Sequence, residues 1–474
     1  MATKTELQDW IEPMKSFFGG RYYPPLVCLL VLLGYFTGAE MFFGSLNLLL
    51  FCFSLWITDS AKHALIVGST FLYQISPGHA PTVPDRSDYF FVEGRPIWIA
   101  ILLVALLVSL VAYVIRTEAY RKLTFSECPL LAPMLVLAAA FITNGIFSPK
   151  HTAKDLLLGV AEAFAYFFFF LLFYFGFREK DLDGIDSYFC YTTLWIAAVV
   201  LLQLGHLYLT GDVFREDGAI NVGKIVLGWG VSTVIGAALT VLIPILLYGA
   251  MRRRYPIPYF VMAFLVLIAS FCTMSRTALG VSALFFAICM LIGCFYGERK
   301  TLFQVAAIVM MLCVIAVLIG YFEDIRTLFA VYFEKGFSST GRLSLWKKCV
   351  DGFFEHPLFG AGFFGLELGE QVSNFAHNTI LQMLGACGLF GIVAYLLYRI
   401  ETVFLYFKRP SLFKTMLGIG ALTIVVASLL DIFLFSFFSM IYHSALLALT
   451  CVINRVEDDE SAESFLRTLP KISS

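Results

Sequence analysis

Charged side chains are scarce in this sequence. Asp, Glu, Lys and Arg make up 14% of its 474 residues, where soluble domains carry about 25%. With 59% hydrophobic residues, too little polar surface remains to cover a soluble globule, and that class is excluded. A basic excess is missing as well. The chain sets 33 Lys and Arg against 34 Asp and Glu and has no basic stripe, so no nucleic-acid partner is expected. Cys-x-x-Cys pairs are missing among its eleven cysteines, which argues against a zinc ribbon or a disulfide framework. Most of the cysteines lie inside apolar runs and read as small packing residues. Cys349 alone sits well inside a long polar segment. The first apolar run, 24–38, is followed by no small-residue cleavage pattern, so it is expected to be retained.

What the sequence has in abundance is apolar stretches of about the 20 residues needed to cross a bilayer. They fall at about 24–38, 41–57, 61–76, 96–115, 129–147, 155–177, 188–209, 224–250, 257–274, 277–296, 302–321, 387–407, 412–430 and 433–452. The expected fold is all-α: one integral membrane domain over 1–474, a bundle of about 12–14 transmembrane helices. With the N-terminus in the cytoplasm, most Lys and Arg of the connections fall inside, anchored by Arg252–Arg254 and by Lys408 and Arg409. Both termini, including a tail over 453–474, are then cytoplasmic. The longest connection, 322–386, becomes extracytoplasmic, and loops of that length commonly carry function.

Within that loop, 341–355 reads as a helix capped by Ser339 or Thr340 and stopped by Pro357. Leu343, Trp346, Val350, Phe353 and Phe354 share an apolar face, with Lys347, Lys348 and Asp351 opposite. Arg342 then occupies the first turn, where the helix dipole disfavours a cation unless an anion binds beside it. It is read either as a phosphate ligand or as a solvated, snorkelling side chain. Arg276 lies between two apolar runs at the same outer face and needs an anionic partner there, a lipid headgroup or a protein-bound phosphate. His377 and Asn378 stand just ahead of an apolar run. A neutral imidazole at that place can accept a hydroxyl proton, although a histidine near a span also serves as a packed, hydrogen-bonded residue. Gly385, Gly388 and Gly391 recur every third residue and permit close helix packing. Intramembrane charges are few. Glu162, read as a substrate contact or an interhelical hydrogen bond, and Asp431 lie near spans.

Together these pieces resemble the O-antigen ligase and polymerase superfamily of bacterial membrane glycosyltransferases. The resemblance rests on Ser275-Arg276, on "TGR…LW" with Arg342 and Trp346, on "HPLFGAGFFG" from His356 to Gly365, and on "HNTILQMLGACGLFG" from His377 to Gly391. The span "LGWGVSTVIGAALTVLIP" over 227–244 is similar to the segment preceding the Ser-Arg helices of that family. The resemblance implies a glycosyltransferase-C-like membrane bundle in the bacterial cytoplasmic membrane. It also implies a polyprenyl-diphosphate-linked oligosaccharide as donor, an acceptor glycan or glycolipid, and the lipid bilayer as surroundings. Arg276 and Arg342 would clamp the diphosphate, His377 would act as general base, Asn378 would orient the reactants, and the anomeric centre would invert. No metal or cofactor is expected: the outer acidic pairs Glu216-Asp217 and Glu323-Asp324 are adjacent and lack the DxD spacing of many metal-dependent glycosyltransferases. The rival readings are a flippase or transporter of lipid-linked oligosaccharide and a membrane scaffold. Against the first, no repeat between the halves is visible. Convergence of Arg276, Arg342 and His377 in space would separate the enzyme from both.

Overall fold

The computed structural model describes residues 4–76, 94–149, 153–177, 181–210, 213–216, 218–328, 342–366, 376–431 and 437–468. The described chain is almost entirely helical. In order it runs α1 (Lys4–Gly19), α2 (Tyr23–Thr37), α3 (Glu40–Ile57), α4 (Ala64–Phe71), α5 (Arg95–Arg116), α6 (Leu131–Phe147), α7 (Ala153–Gly176) and α8 (Ile185–Leu209). A two-residue hairpin follows, β1 (Val226–Leu227) antiparallel to β2 (Gly230–Val231). Then come α9 (Ser232–Arg252), α10 (Pro256–Cys272), α11 (Arg276–Tyr296), α12 (Lys300–Gly320) and α13 (Phe322–Leu328). The last four are α14 (Arg342–Glu355), α15 (Thr379–Phe407), α16 (Leu412–Ser428) and α17 (Phe437–Thr468).

Among the described residues, nine helices are long and apolar enough to cross a membrane, and a pair bent by 69° at the α1–α2 junction can count as a tenth. Three shorter apolar helices, α6, α10 and α16, bring the number to thirteen, so the chain is an all-α polytopic membrane protein. The expected span at 61–76 differs: its helix, α4, has only eight residues, about 12 Å of rise. It gives way to turns whose Leu72 carbonyl accepts from Trp229 N in the hairpin (3.2 Å). Gly228, at φ +54°, lies so close to Leu72 that no side chain fits there.

α9 forms the centre, with 94% of its apolar window buried, whereas α12, at 6%, is almost wholly exposed to its surroundings. Burial follows composition here. α9 offers Gly236, Ala237 and Ala238 where neighbours approach, and a Cβ on Gly236 would stand 2.5 Å from Ala278 and 2.7 Å from Thr273 Oγ1. The start of α11 is thereby locked to α9.

Basic residues gather at one end of the bundle. There Arg252 pairs with Glu298 and Arg253 with Asp186. Lys414 meets Glu457 at 3.0 Å, and Lys408 and Arg409 both meet Asp458. Since α15 runs from Thr379 to this end, its N-terminus stands at the opposite end, and the candidate residues stand with it.

Candidate active site

The surface helix of the long loop forms where expected, as α14, but with a different buried face. Cys349 and Gly352 are buried, with Leu345 and Trp346 packed beside them, whereas Leu343 and Phe354 are 60% and 74% exposed. The reason is steric. α14 lies directly on the backbone of α15, where a Cβ on Gly385 would come 2.7 Å from Cys349 O, so small residues and not the largest apolar ones mark the contact. Burial pushes the Cys349 thiol up to about 12, which makes it a packing residue and not a nucleophile. The expected caps Ser339 and Thr340 lie outside the described residues.

Three consecutive residues just beyond α16 gather the candidate site. Leu429 O accepts from Asn378 Nδ2 (2.9 Å), Leu430 O accepts from Arg342 Nη1 (2.7 Å), and Asp431 Oδ1 meets His377 Nδ1 at 2.7 Å. Arg342 Nη2 lies 3.9 Å from the other oxygen of Asp431. The Asp431 side chain is only 3% exposed, and those of His377 and Arg342 about a third. Asp431 is the member of this cluster whose place here the sequence did not reveal. Its one signal was an acid beside an apolar span, a costly position that calls for a partner. Glu162, the other such acid, is buried within the bundle on α7.

Local chain chemistry holds the imidazole in place. Asn378 is the N-cap of α15, its Oδ1 accepting from Leu381 N at 3.0 Å. Gln382 Oε1 accepts from Ala376 N (2.6 Å), and Trp346 Nε1 on α14 donates to Ala376 O (2.9 Å). Between these anchors His377 takes φ +52°, in the left-handed region that non-glycine residues enter at a cost and keep only when their surroundings enforce it. Facing a carboxylate, Nδ1 is the ring nitrogen placed to donate, and Nε2 is then the one left to accept a proton.

Arg276 heads α11. Ser275 caps that helix, its Oγ accepting from Ala278 N (3.3 Å), and Met274 before it is left-handed at φ +58°. Val281 and Phe285 of α11 pack with Ala427 of α16, so Arg276, which is exposed, stands at the same end of the bundle as Asp431. Arg342, His377 and Asn378 thus converge on one strip, with Arg276 at the same face on the adjacent helix. Glu323 and Asp324 are exposed on α13, with Glu323 paired to Arg326 (3.4 Å). Glu216 is exposed, and Asp217 lies outside the described residues. Among the described residues no three His, Cys, Asp or Glu side chains are grouped to hold a metal ion.

The segment from His356 to Gly365 braces the site from behind. α15 is broken at Gly388, whose φ of +64° is non-helical and where a Cβ would stand 2.6 Å from Gly360 N. Gly388 therefore both breaks the helix and admits the backbone of Leu358 and Gly360 at close range. The backbone groups freed by the break are met in register. Leu389 N donates to Pro357 O (2.8 Å), Phe390 N to Leu358 O (3.1 Å), Ala361 N to Gly385 O (2.9 Å) and Gly362 N to Ala386 O (3.1 Å). Buried Asp155 on α7 accepts from Phe364 N (2.7 Å) and from Ser148 Oγ (3.1 Å), and Asn144 Nδ2 on α6 donates to Ala386 O (2.7 Å). Neither Asp155 nor Asn144 was legible as part of the site.

The fold and its polar strip define a multi-pass membrane protein with a histidine–carboxylate–arginine cluster at one end of its bundle. Residues 260–396, α10 through the first half of α15, match the family model described as O-antigen ligase. The match takes in Arg276, Arg342, His377 and Asn378, stops short of Asp431, and supports the resemblance of this part of the chain to the O-antigen ligase and polymerase superfamily. No curated protein matches the chain.

Proposed function

We propose that the protein transfers or polymerises glycan from a polyprenyl-diphosphate donor onto an acceptor sugar hydroxyl at the outer face of the bacterial cytoplasmic membrane. The observation that carries this reading is the convergence of His377, Asp431 and Arg342 inside a chain with an O-antigen ligase match. In the proposed reaction His377 Nε2 takes the proton of the acceptor hydroxyl as its oxygen attacks the anomeric carbon. Asp431 holds the imidazole in the tautomer that can do so and stabilises the imidazolium that forms, an arrangement that recurs in hydrolase triads. The lipid diphosphate leaves with the bonding electrons. Arg276 and Arg342 neutralise it, guanidinium groups being suited to paired phosphate oxygens. A single displacement inverts the anomeric centre, and two arginines supply the charge that a metal would otherwise provide.

Asn378 acts chiefly through the backbone in this scheme. Its oxygen caps α15 and its amide reaches Leu429 O, so it positions His377 beside the acceptor. The orientation follows from charge: the end carrying Arg252–Arg254, Lys408, Arg409 and Lys414 faces the cytoplasm under the positive-inside rule, and the His377 end faces outward. We favour a polymerase-like role in capsule or other surface-polysaccharide assembly. The test is transfer in vitro from a purified lipid-linked oligosaccharide to an acceptor glycan, with and without EDTA. His377→Ala should lower the rate by about 10²–10⁴, the usual loss on removing a general base, with donor binding retained. Full activity in that variant overturns the assignment of the base. Activity lost in EDTA and restored by Mg²⁺ or Mn²⁺ overturns the arginine-only account.

A further inference from the structure

A concavity of about 400 Å³ lies at the far end of α14 from Arg342, lined by Lys348, Asp351, Glu355 and His356, with Ala361 and Leu366 among the apolar residues of its wall. Its volume falls in the range of small-ligand sites. The wall is preformed: Ala361 is fixed by its hydrogen bond to Gly385 O, and a Cβ on Gly352 would meet Leu366 at 2.6 Å. We propose that this concavity is a subsite for a non-reacting sugar of the glycan, an inference that rests on the transfer reaction argued above.

The lining selects among ligands. Two carboxylates repel a phosphate or an anionic lipid headgroup, and Lys348 in the same lining disfavours a bare cation. A sugar ring suits the mixture, since its hydroxyls can donate to Asp351 and Glu355 and accept from Lys348, while its C–H surface lies on Ala361 and Leu366. Position agrees with chemistry. Arg342 and Asp351 are nine residues apart on one helix, about 13–14 Å at 1.5 Å per residue, so α14 runs from the reacting centre to a point farther along an extended oligosaccharide. Contacts made there bind substrate and transition state alike, which lowers KM and leaves the rate at saturation unchanged.

The experiment uses the full-length protein in nanodiscs and the double variant Asp351→Ala/Glu355→Ala. Both positions are exposed on a helix, where alanine favours the fold. The expected result is a rise of about tenfold or more in KM for one glycan substrate, since hydrogen bonds to charged groups are the stronger ones, with kcat within about twofold. Whether donor or acceptor KM moves tells which glycan reaches the subsite. Independently of turnover, oligosaccharides from partial acid hydrolysis of the host cell's surface polysaccharide should give saturation-transfer NMR signals with wild type and with His377→Ala, but not with the double variant. Fragment binding that is absent in wild type, or unchanged in the double variant, overturns the subsite even where transfer is intact. Binding lost only in the double variant supports the subsite even where no transfer is found, and in that case the reaction alone fails.

Discussion

Replacing Asp431 by asparagine tests the central geometry with the least disturbance to shape. The carboxylate lies 2.7 Å from His377 Nδ1 and is nearly fully buried, so the bond is charge-assisted and shielded from water. Hydrogen bonds to charged groups contribute about 1.5–3 kcal/mol, a factor of about 10–150 in rate if the contact is fully used in the transition state. Asparagine adds a second penalty. If its amide N–H₂ turns towards Nδ1, the imidazole proton moves to Nε2, and the ring can no longer accept from the acceptor hydroxyl. The same exchange in hydrolase triads costs about 10⁴, so kcat should fall by about 10²–10⁴. Donor KM should hold or drop, because Arg342 loses its 3.9 Å contact with Asp431 yet keeps its bond to Leu430 O. Stability should not suffer much, since an amide replaces a buried charge that is costly to desolvate. The measurement is kcat and donor KM on detergent-purified protein, with thermal unfolding as a control. A folded Asp431→Asn variant with kcat within twofold of wild type refutes the role given to this pair.

Arg276→Lys should cut kcat/KM for the donor by at least about tenfold, because an ammonium cannot form a planar bidentate fork; parity with wild type removes Arg276 from the diphosphate clamp. Arg342→Ala should raise donor KM as well as lower kcat, read in the same assay; an unchanged KM leaves the residue a purely structural cap on the end of α16. Gly362→Ala should lower thermal stability by about 1–3 kcal/mol, since φ is +88° there and the added Cβ would stand 2.6 Å from Ser148 Oγ and 2.9 Å from Asp155 Oδ1; an unchanged melting temperature contradicts the bracing segment. Cysteines placed singly in 356–366 of a cysteine-free variant should react with an impermeant maleimide on intact spheroplasts, and ones placed at 252–254 only after lysis; the reverse pattern inverts the topology and with it the outward site.

Much of the helical architecture was legible because hydrophobic length alone determines it. α14 appeared at 342–355 against an expected 341–355, fixed by Pro357 and by the polar start of the segment. Its buried face was misread because amphipathic counting favours large apolar side chains, whereas the helix packs through Cys349 and Gly352 onto the backbone of α15. The eight-residue α4 was hidden by an apolar run of full length, since hydropathy does not register a turn bonded to a distant hairpin. His377, Asn378, Arg342 and Arg276 were visible as polar residues in costly places. Their common holder was not. Asp431 is 54 residues from His377 in sequence, and the pair meets only because α15 and α16 run antiparallel and return the chain to the same end.

That return also explains why such a strip can hold reactive groups at all. The last carbonyls of a helix lack intrahelical partners and carry partial negative charge, and α16 ends beneath two side chains that donate to the turn following it, Asn378 Nδ2 and Arg342 Nη1. These bonds fix the position of Leu429 and Leu430, and hence that of Asp431 one residue on. On the other side, α11 and α15 present N-termini capped by Ser275 and Asn378, each with further backbone N–H groups beyond the one its cap satisfies. Under the proposed function, a diphosphate brought to this end would meet two positive helix ends and two guanidinium groups, with Asp431 beneath the imidazole and out of its path. If Asp431 lay at the surface it would repel the donor. Buried to 3%, it would in that reading act only on the proton of His377 and leave the favourable field at the mouth of the site intact.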